Sequence, residues 1–338
     1  MSIRVLHIGD FHFWRFPLNP VHYVGKRLLG VGNLAVRRAR SFRISRAPSL
    51  VERIGQLEPD WVALSGDFTT TSLPGEFSRA RVALNPVVAT QGLADRVRAV
   101  PGNHDRYTPT ATRSLRFEGT FADWCQGGRW PYIEDLGEGV RLLGIDATTP
   151  NGMGSHGQMT SEILGRAKEL WEAHRDGAEE LWILCHFPAE DPPGAVATDR
   201  GIQLRGAGPM VKWVEALGVR TFYLHGHHHY RWLFTSERAP NLTYVNAGAP
   251  FLRHGRIEPD LGLMALEREA GGQTRLTLHT AELMQGAQWH TAEVPLPRPG
   301  HYINLQKDAR KVAEEMAEGL RDSATLGTLA SRQASLSR

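Results

Sequence analysis

The sequence predicts an α/β layered sandwich, with central mixed β-sheets flanked by helices. Three observations predict it. Short runs rich in branched and aromatic residues recur from Ile3 to Gly248. Stretches with a three-four apolar rhythm separate several of them. After Ala249 the pattern shifts to alternating runs of an antiparallel kind, with Gly271-Gly272 as a turn. Strands that alternate with helices bury their faces best in a layered core.

Taken in order, the strand candidates are 3–9, 60–66, 97–102, 140–146, 181–186, 221–226 and 242–248. The helix candidates start with Leu50–Glu58, which stops before Pro59. Ser161–His174 opens on a serine cap and carries Ile163, Leu164, Ala167 and Trp171 on one stripe. Gly208–Leu217 has Pro209 in its first turn and Gly218 at its end. Residues 261–267, 274–280 and 288–294 read as antiparallel strands. A Pro-rich link (295–300) leads to an amphipathic helix, Gln306–Arg321, and a loose Ser/Thr/Ala-rich tail follows. The expected layout is one domain over 1–294, a link and helix over 295–322, and a disordered tail over 323–338.

Composition bounds the function. The chain has 338 residues, 41% apolar and 22% charged, with a net charge of +3. That balance fits a globular protein with a sizeable core and argues against a disordered chain. No apolar run reaches the roughly 18 residues of a membrane span. The N-terminus lacks the apolar core and cleavage site of a signal peptide. The two cysteines, Cys125 and Cys185, have no paired spacing, so neither a disulfide framework nor a zinc knuckle is expected. A cytoplasmic protein is the resulting expectation.

The small net charge hides an asymmetry. No acid occurs from Phe11 through Val51, where eight Lys and Arg residues accumulate. This basic insertion, 11–51, is expected either to pack over a cleft or to touch an anionic membrane or lipid-linked substrate. Nucleic-acid contact is the less favoured reading.

Polar residues cluster where the apolar runs end. Asp10-Phe11-His12 follows the first run, Gly66-Asp67 the second and Gly102-Asn103-His104-Asp105 the third. His186 ends the fifth, and His225-Gly226-His227-His228-His229 ends the sixth. In an open α/β sheet the carboxyl ends of strands face one crevice. Carboxylate, amide and imidazole donors suit manganese, iron or zinc. There are too many for one four-coordinate ion. Two ions sharing a carboxylate, about 3.5–4 Å apart, would use the set well.

In this order, Asp10-x-His12, Gly66-Asp67, Gly102-Asn103-His104-Asp105, His186 and Gly226-His227-x-His229 resemble the calcineurin-like metallophosphoesterases. The resemblance spans residues 3 to about 250. It implies that Asp10, His12 and His229 hold a first metal, that Asn103, His186 and His227 hold a second, and that Asp67 bridges them. It implies that His104 contacts the phosphoryl oxygen or protonates the leaving group, with Asp105 orienting it. Two divalent ions would then activate a shared water and neutralise charge on the phosphate.

The expected activity is hydrolysis of a phosphodiester or pyrophosphate bond in a small-molecule phosphate ester, amphiphilic or nucleotide-like. The alternatives are a DNA nuclease of the same superfamily and a catalytically silent metal-binding scaffold. His225 and His228 match no ligand position and are read as pocket residues. Specificity is expected in the 11–51 insertion, in Gly152–Gln158 and in 188–207.

Overall fold

The computed structural model describes residues 2–16, 41–89, 92–149, 155–192, 203–252, 261–282 and 288–305. The expected helix over 306–321, the tail and the middle of the basic insertion lie outside them.

Two mixed sheets face each other. The first contains β1 (Ile3–Ile8), β2 (Trp61–Leu64), β3 (Val97–Ala99), β12 (Leu261–Arg268), β13 (Thr274–Glu282) and β14 (Gln288–Val294), in the order β14-β13-β12-β1-β2-β3. The second contains β4 (Tyr132–Gly137), β5 (Val140–Ile145), β7 (Glu180–Cys185), β9 (Arg220–His225), β10 (Arg231–Thr235), β11 (Leu242–Ala247) and β15 (Tyr302–Asn304), in the order β15-β10-β11-β9-β7-β5-β4. Two short strands, β6 (Gly157–Gln158) and β8 (Leu204–Arg205), pair in parallel on their own.

The strand interiors explain why the sequence shows them as unbroken apolar runs. β1, β2 and β3 pair in parallel, as do β5, β7, β9 and β11, and such strands are covered on both faces. Val5, Trp61, Ala63, Leu142, Trp182, Leu184, Leu224, Val245, Met264 and Leu266 fill the layer between the sheets. Each buried Val, Leu or Met among them contributes about 1.5–3 kcal/mol of burial. The other face of the first sheet, with Leu6 and Ile8, packs on α1 (Ala47–Leu57) and α2 (Pro74–Ala89) through Leu50, Ile54, Phe77, Ala80 and Leu84. Two short helices, α3 (Pro109–Arg113) and α4 (Arg116–Phe121), extend that layer. The outer face of the second sheet carries α5 (Ser161–His174) and α6 (Gly208–Leu217) through Leu164, Ala167, Trp171, Met210, Val211 and Val214.

Several expectations shift by a residue or fill in. The cap of α5 is Thr160, whose side chain accepts from the Ile163 N–H, so the serine is the first helical residue. The alternating strands after residue 260 join the first sheet, with β12 antiparallel to β1. The Pro-rich run returns the chain to the second sheet, because β15 pairs with β10 and Leu305 is buried. The carboxyl ends of β1, β2, β3, β7 and β9 all carry the chemistry-bearing residues.

Candidate metal centre

The loops after β1 and β2 run side by side. The Asp10 N–H donates to the Gly66 carbonyl at 3.0 Å, and the His12 N–H donates to the Asp67 carbonyl at 2.8 Å. These two loops and the one after β9 bend through left-handed backbone at non-glycine residues. Asp10, His12, Asp67, His227 and His229 have φ of 54°, 48°, 53°, 71° and 62°. Such residues cost on the order of 1–3 kcal/mol each and persist where surroundings over-determine them. Five of the seven residues expected to hold metal share this strain.

Two glycines leave room for carboxylates. A Cβ at Gly102 would stand 2.1 Å from Asp67 Oδ1, and one at Gly226 would stand 2.5 Å from Asp10 Oδ2. Neither distance is tolerable, so the glycines of these motifs are required by close approach.

The side chains converge on Asp67. One cluster is Asp10, His12, Asp67 and His229, and a second is Asp67, His186 and His227, with ligand atoms in each cluster within 4.8 Å of one another. His12 Nε2 is 2.9 Å from His229 Nε2 and 3.5 Å from Asp67 Oδ2. His186 Nε2 is 3.4 Å from Asp67 Oδ2, 3.2 Å from His227 Nδ1 and 3.1 Å from Asn103 Oδ1. His229 Nε2 is 3.9 Å from Asp10 Oδ1. All seven expected ligands are therefore brought together.

The donor set fits cations. His186 Nδ1 lies 2.8 Å from the Ser65 carbonyl, which can only accept. Nδ1 therefore carries a hydrogen, and Nε2 is the atom left facing the Asn103 and Asp67 oxygens, where its lone pair could serve a cation. Asp10 Oδ2 and Asp67 Oδ2 are buried without a hydrogen-bond donor. Buried acceptors left this way are costly unless something positive satisfies them.

The titration behaviour has the same cause. Burial pushes the Asp10 carboxyl up to about 7. Burial also opposes the charge on Asp67, but the imidazoles of His186, His104 and His12 outweigh it and hold Asp67 well below the usual carboxylate range. Burial works to lower His186, yet Asp67 and then Asp10 raise it to about 9.

His104 sits beside the clusters. Its backbone N–H donates to Asp67 Oδ1 at 2.8 Å, and its ring Nδ1 donates to the Thr70 carbonyl at 2.6 Å. Asp105 lies in the turn that carries His104. Its buried carboxylate accepts from the N–H groups of Gly102, Phe68 and Thr69 and from the Thr69 hydroxyl. It shapes the turn that carries His104, while the Thr70 carbonyl orients the ring.

Two phenylalanines brace the imidazoles. The Phe42 ring lies 4.6 Å from His12 and 5.8 Å from His229. The Phe187 ring lies 5.0 Å from His186 and 4.9 Å from His227. Thr70, Phe42 and Phe187 were not singled out by sequence. Only Phe187, next to His186, carried a positional hint. His225 and His228 stand outside both clusters. His225 Nδ1 donates to the Gly226 carbonyl at 3.0 Å, and His228 Nε2 lies 3.6 Å from Asp191 Oδ1.

Residues 3–231 match the family described as calcineurin-like phosphoesterase. No curated protein matches the chain. Among solved structures, a dimetal phosphatase from Danio rerio superposes with a TM-score of 0.53 at 13% identity, covering 86% of this chain and 98% of that one. Zinc-complexed Vps29 from Entamoeba histolytica gives a TM-score of 0.34 at 13% identity, with 86% and 98% covered. A 5'-nucleotidase from Candida albicans gives 0.38 at 12% identity, with 95% and 58% covered. At 13% identity the likeness to the Danio rerio phosphatase shows the fold alone.

Proposed function

Because the chain belongs to the calcineurin-like phosphoesterase family, we propose that it is a dinuclear metal-dependent hydrolase of phosphodiester or pyrophosphate bonds. The observation that carries this is the convergence of six ligand-competent side chains on a seventh, Asp67, with two buried carboxylate oxygens lacking donors. Asp10, His12 and His229 would hold one ion, and Asn103, His186 and His227 the other, with Asp67 shared. Bound there, manganese, iron or zinc would supply a nucleophile at neutral pH and offset the phosphoryl charge.

The chain's own groups do the rest. The Ser65 carbonyl fixes the His186 tautomer, and the backbone N–H of His227 holds Asp10 Oδ1 at 3.0 Å. The Thr70 carbonyl keeps the hydrogen of His104 on Nδ1, so Nε2 is the atom that gives a second proton to the leaving oxygen.

The basic insertion supports an amphiphilic or nucleotide-like substrate. Its described ends lie beside the site: Phe42 touches His12 and His229, and the Trp14 indole donates to the Phe42 carbonyl at 3.2 Å. Among the described residues no helix is long and apolar enough to cross a membrane.

The reading is tested by manganese-dependent hydrolysis of a chromogenic phosphodiester beside its monoester, with Asp67→Ala as control. Diester turnover that disappears in the variant supports the proposal. Turnover that survives the substitution, or none from a protein holding no metal, overturns it.

A further inference from the structure

We propose that Tyr107 is a positioning residue whose ring sets the plane of the His104 imidazole, so that proton delivery to the leaving oxygen depends on it. The inference rests on reading His104 as the proton donor.

The Tyr107 and His104 rings are nearly parallel, 15° apart, with centroids 5.5 Å apart. The hydrogen bond from His104 Nδ1 to the Thr70 carbonyl fixes one end of the imidazole. A hydrogen bond at Nδ1 still permits coupled χ1 and χ2 changes that tilt the ring about that contact. Such a tilt swings Nε2 through an arc and spoils its aim. A parallel ring against the imidazole face opposes the tilt, because offset stacking is lost as the planes diverge. The His12 ring meets His104 edge-on, with centroids 4.8 Å apart, and limits motion on another side.

Tyr107 is itself well placed to serve as a fixed wall. The turn before it is tied down by Asp105, which accepts from the Gly102 N–H at 2.9 Å. The next residue, Arg106, is buried and paired with Glu118 and Asp146. Tyr107 is only half-buried, so trimming its side chain leaves the core intact.

The step has a definite balance. The oxygen of a hydroxide drawn from water bonds to phosphorus as the bond from phosphorus to the leaving oxygen breaks, and the broken bond's electron pair stays on the leaving oxygen. That oxygen takes the proton from His104 Nε2, and the nitrogen keeps the N–H pair. A nitrophenolate leaves without needing the proton, whereas a benzyl alkoxide needs it. A misaimed His104 therefore slows the benzyl ester selectively. Damage to the metal centre, or a general loosening, slows both esters alike.

The experiment compares kcat and KM for p-nitrophenyl and benzyl esters of the same phosphate in manganese-loaded wild type, His104→Gln, Tyr107→Leu and Tyr107→Phe. His104→Gln should lose benzyl turnover preferentially. Tyr107→Leu should lower kcat for the benzyl ester about threefold to tenfold more than for the nitrophenyl ester, with little change in KM. Tyr107→Phe, which keeps the ring, should restore the wild-type ratio. Equal effects of Tyr107→Leu on both esters, with His104→Gln still selective, would overturn the role of Tyr107 alone. A non-selective His104→Gln would remove the donor reading and this inference with it.

Discussion

The two walls of the site are built from different materials. The wall from the first sheet supplies Asp10, His12, Asp67 and Asn103, and thus every carboxylate and the amide. The wall from the second sheet supplies His186, His227 and His229, all imidazoles. The first wall is a pair of parallel loops stitched by backbone bonds from Asp10 to Gly66 and from His12 to Asp67. The second is fastened across to the first through His186 to the Ser65 carbonyl and the His227 N–H to Asp10. The carboxylates are therefore concentrated on one wall, and the other offers imidazoles alone. The lesson is that the first wall should govern whether cations bind at all, and the second how each is held.

The largest effect tests the shared carboxylate. Each ion is worth several kcal/mol to the transition state. Losing both is expected to cost on the order of 10⁴-fold in kcat/KM, and losing one about 10²-fold. Asp67→Ala should show the larger loss in diester hydrolysis. His229→Ala and His186→Ala should each show the smaller one, measured in the same assay. A His186→Ala loss equal to that of Asp67→Ala would erase the distinction between the walls.

A smaller effect separates the braces. Phe42→Leu should weaken the ion held by His12 and His229, and Phe187→Leu the ion held by His186 and His227. The expected loss is about 10–100-fold in the affinity of one ion, the range for groups that orient ligands from behind. Calorimetric titration with manganese would resolve it. A loss of affinity for both ions in either variant would mean that the walls are not braced separately.

The smallest effect lies away from the site, in the first sheet. Burial lowers the His279 pKa to about 4, with Arg53 adding to it. The ring is neutral in the folded protein, and its Nδ1 accepts from Arg53 Nη2 at 3.2 Å. Between the unfolded value of about 6.5 and the folded value the unfolded chain binds more protons. The stability contributed is present above pH 6.5 and is lost as pH falls toward 4. Urea unfolding between about pH 7 and pH 5 should show a shallower pH dependence for His279→Gln than for wild type. The difference is at most about 1.4 kcal/mol per pH unit. Equal slopes would assign the acid sensitivity elsewhere.

Much of this was legible in the sequence for physical reasons. Parallel strands buried on both faces must be continuous apolar runs, so β1, β2, β7 and β9 stood out. The candidate ligand residues were legible because strand ends place them together, and because their order resembles the family's motifs. Other elements were masked by their composition. The strand β4 alternates through Glu134 and Asp135, which resembles a loop. The helix α2 begins at Pro74-Gly75 and contains Pro86, each of which reads as a breaker. Phe42 sits in a basic, glycine-interrupted stretch with no sign that it returns to the metal-site histidines. The stacking of Tyr107 on His104 depends on how one turn closes, and spacing alone does not encode it.

The most direct test of the central claim is a count of manganese ions bound per chain, by calorimetry with elemental analysis, in wild type, His229→Ala and Asp67→Ala. Two ions in wild type, one in His229→Ala and none held tightly in Asp67→Ala is the predicted series. Two ions retained by Asp67→Ala would contradict a centre organised around that carboxylate.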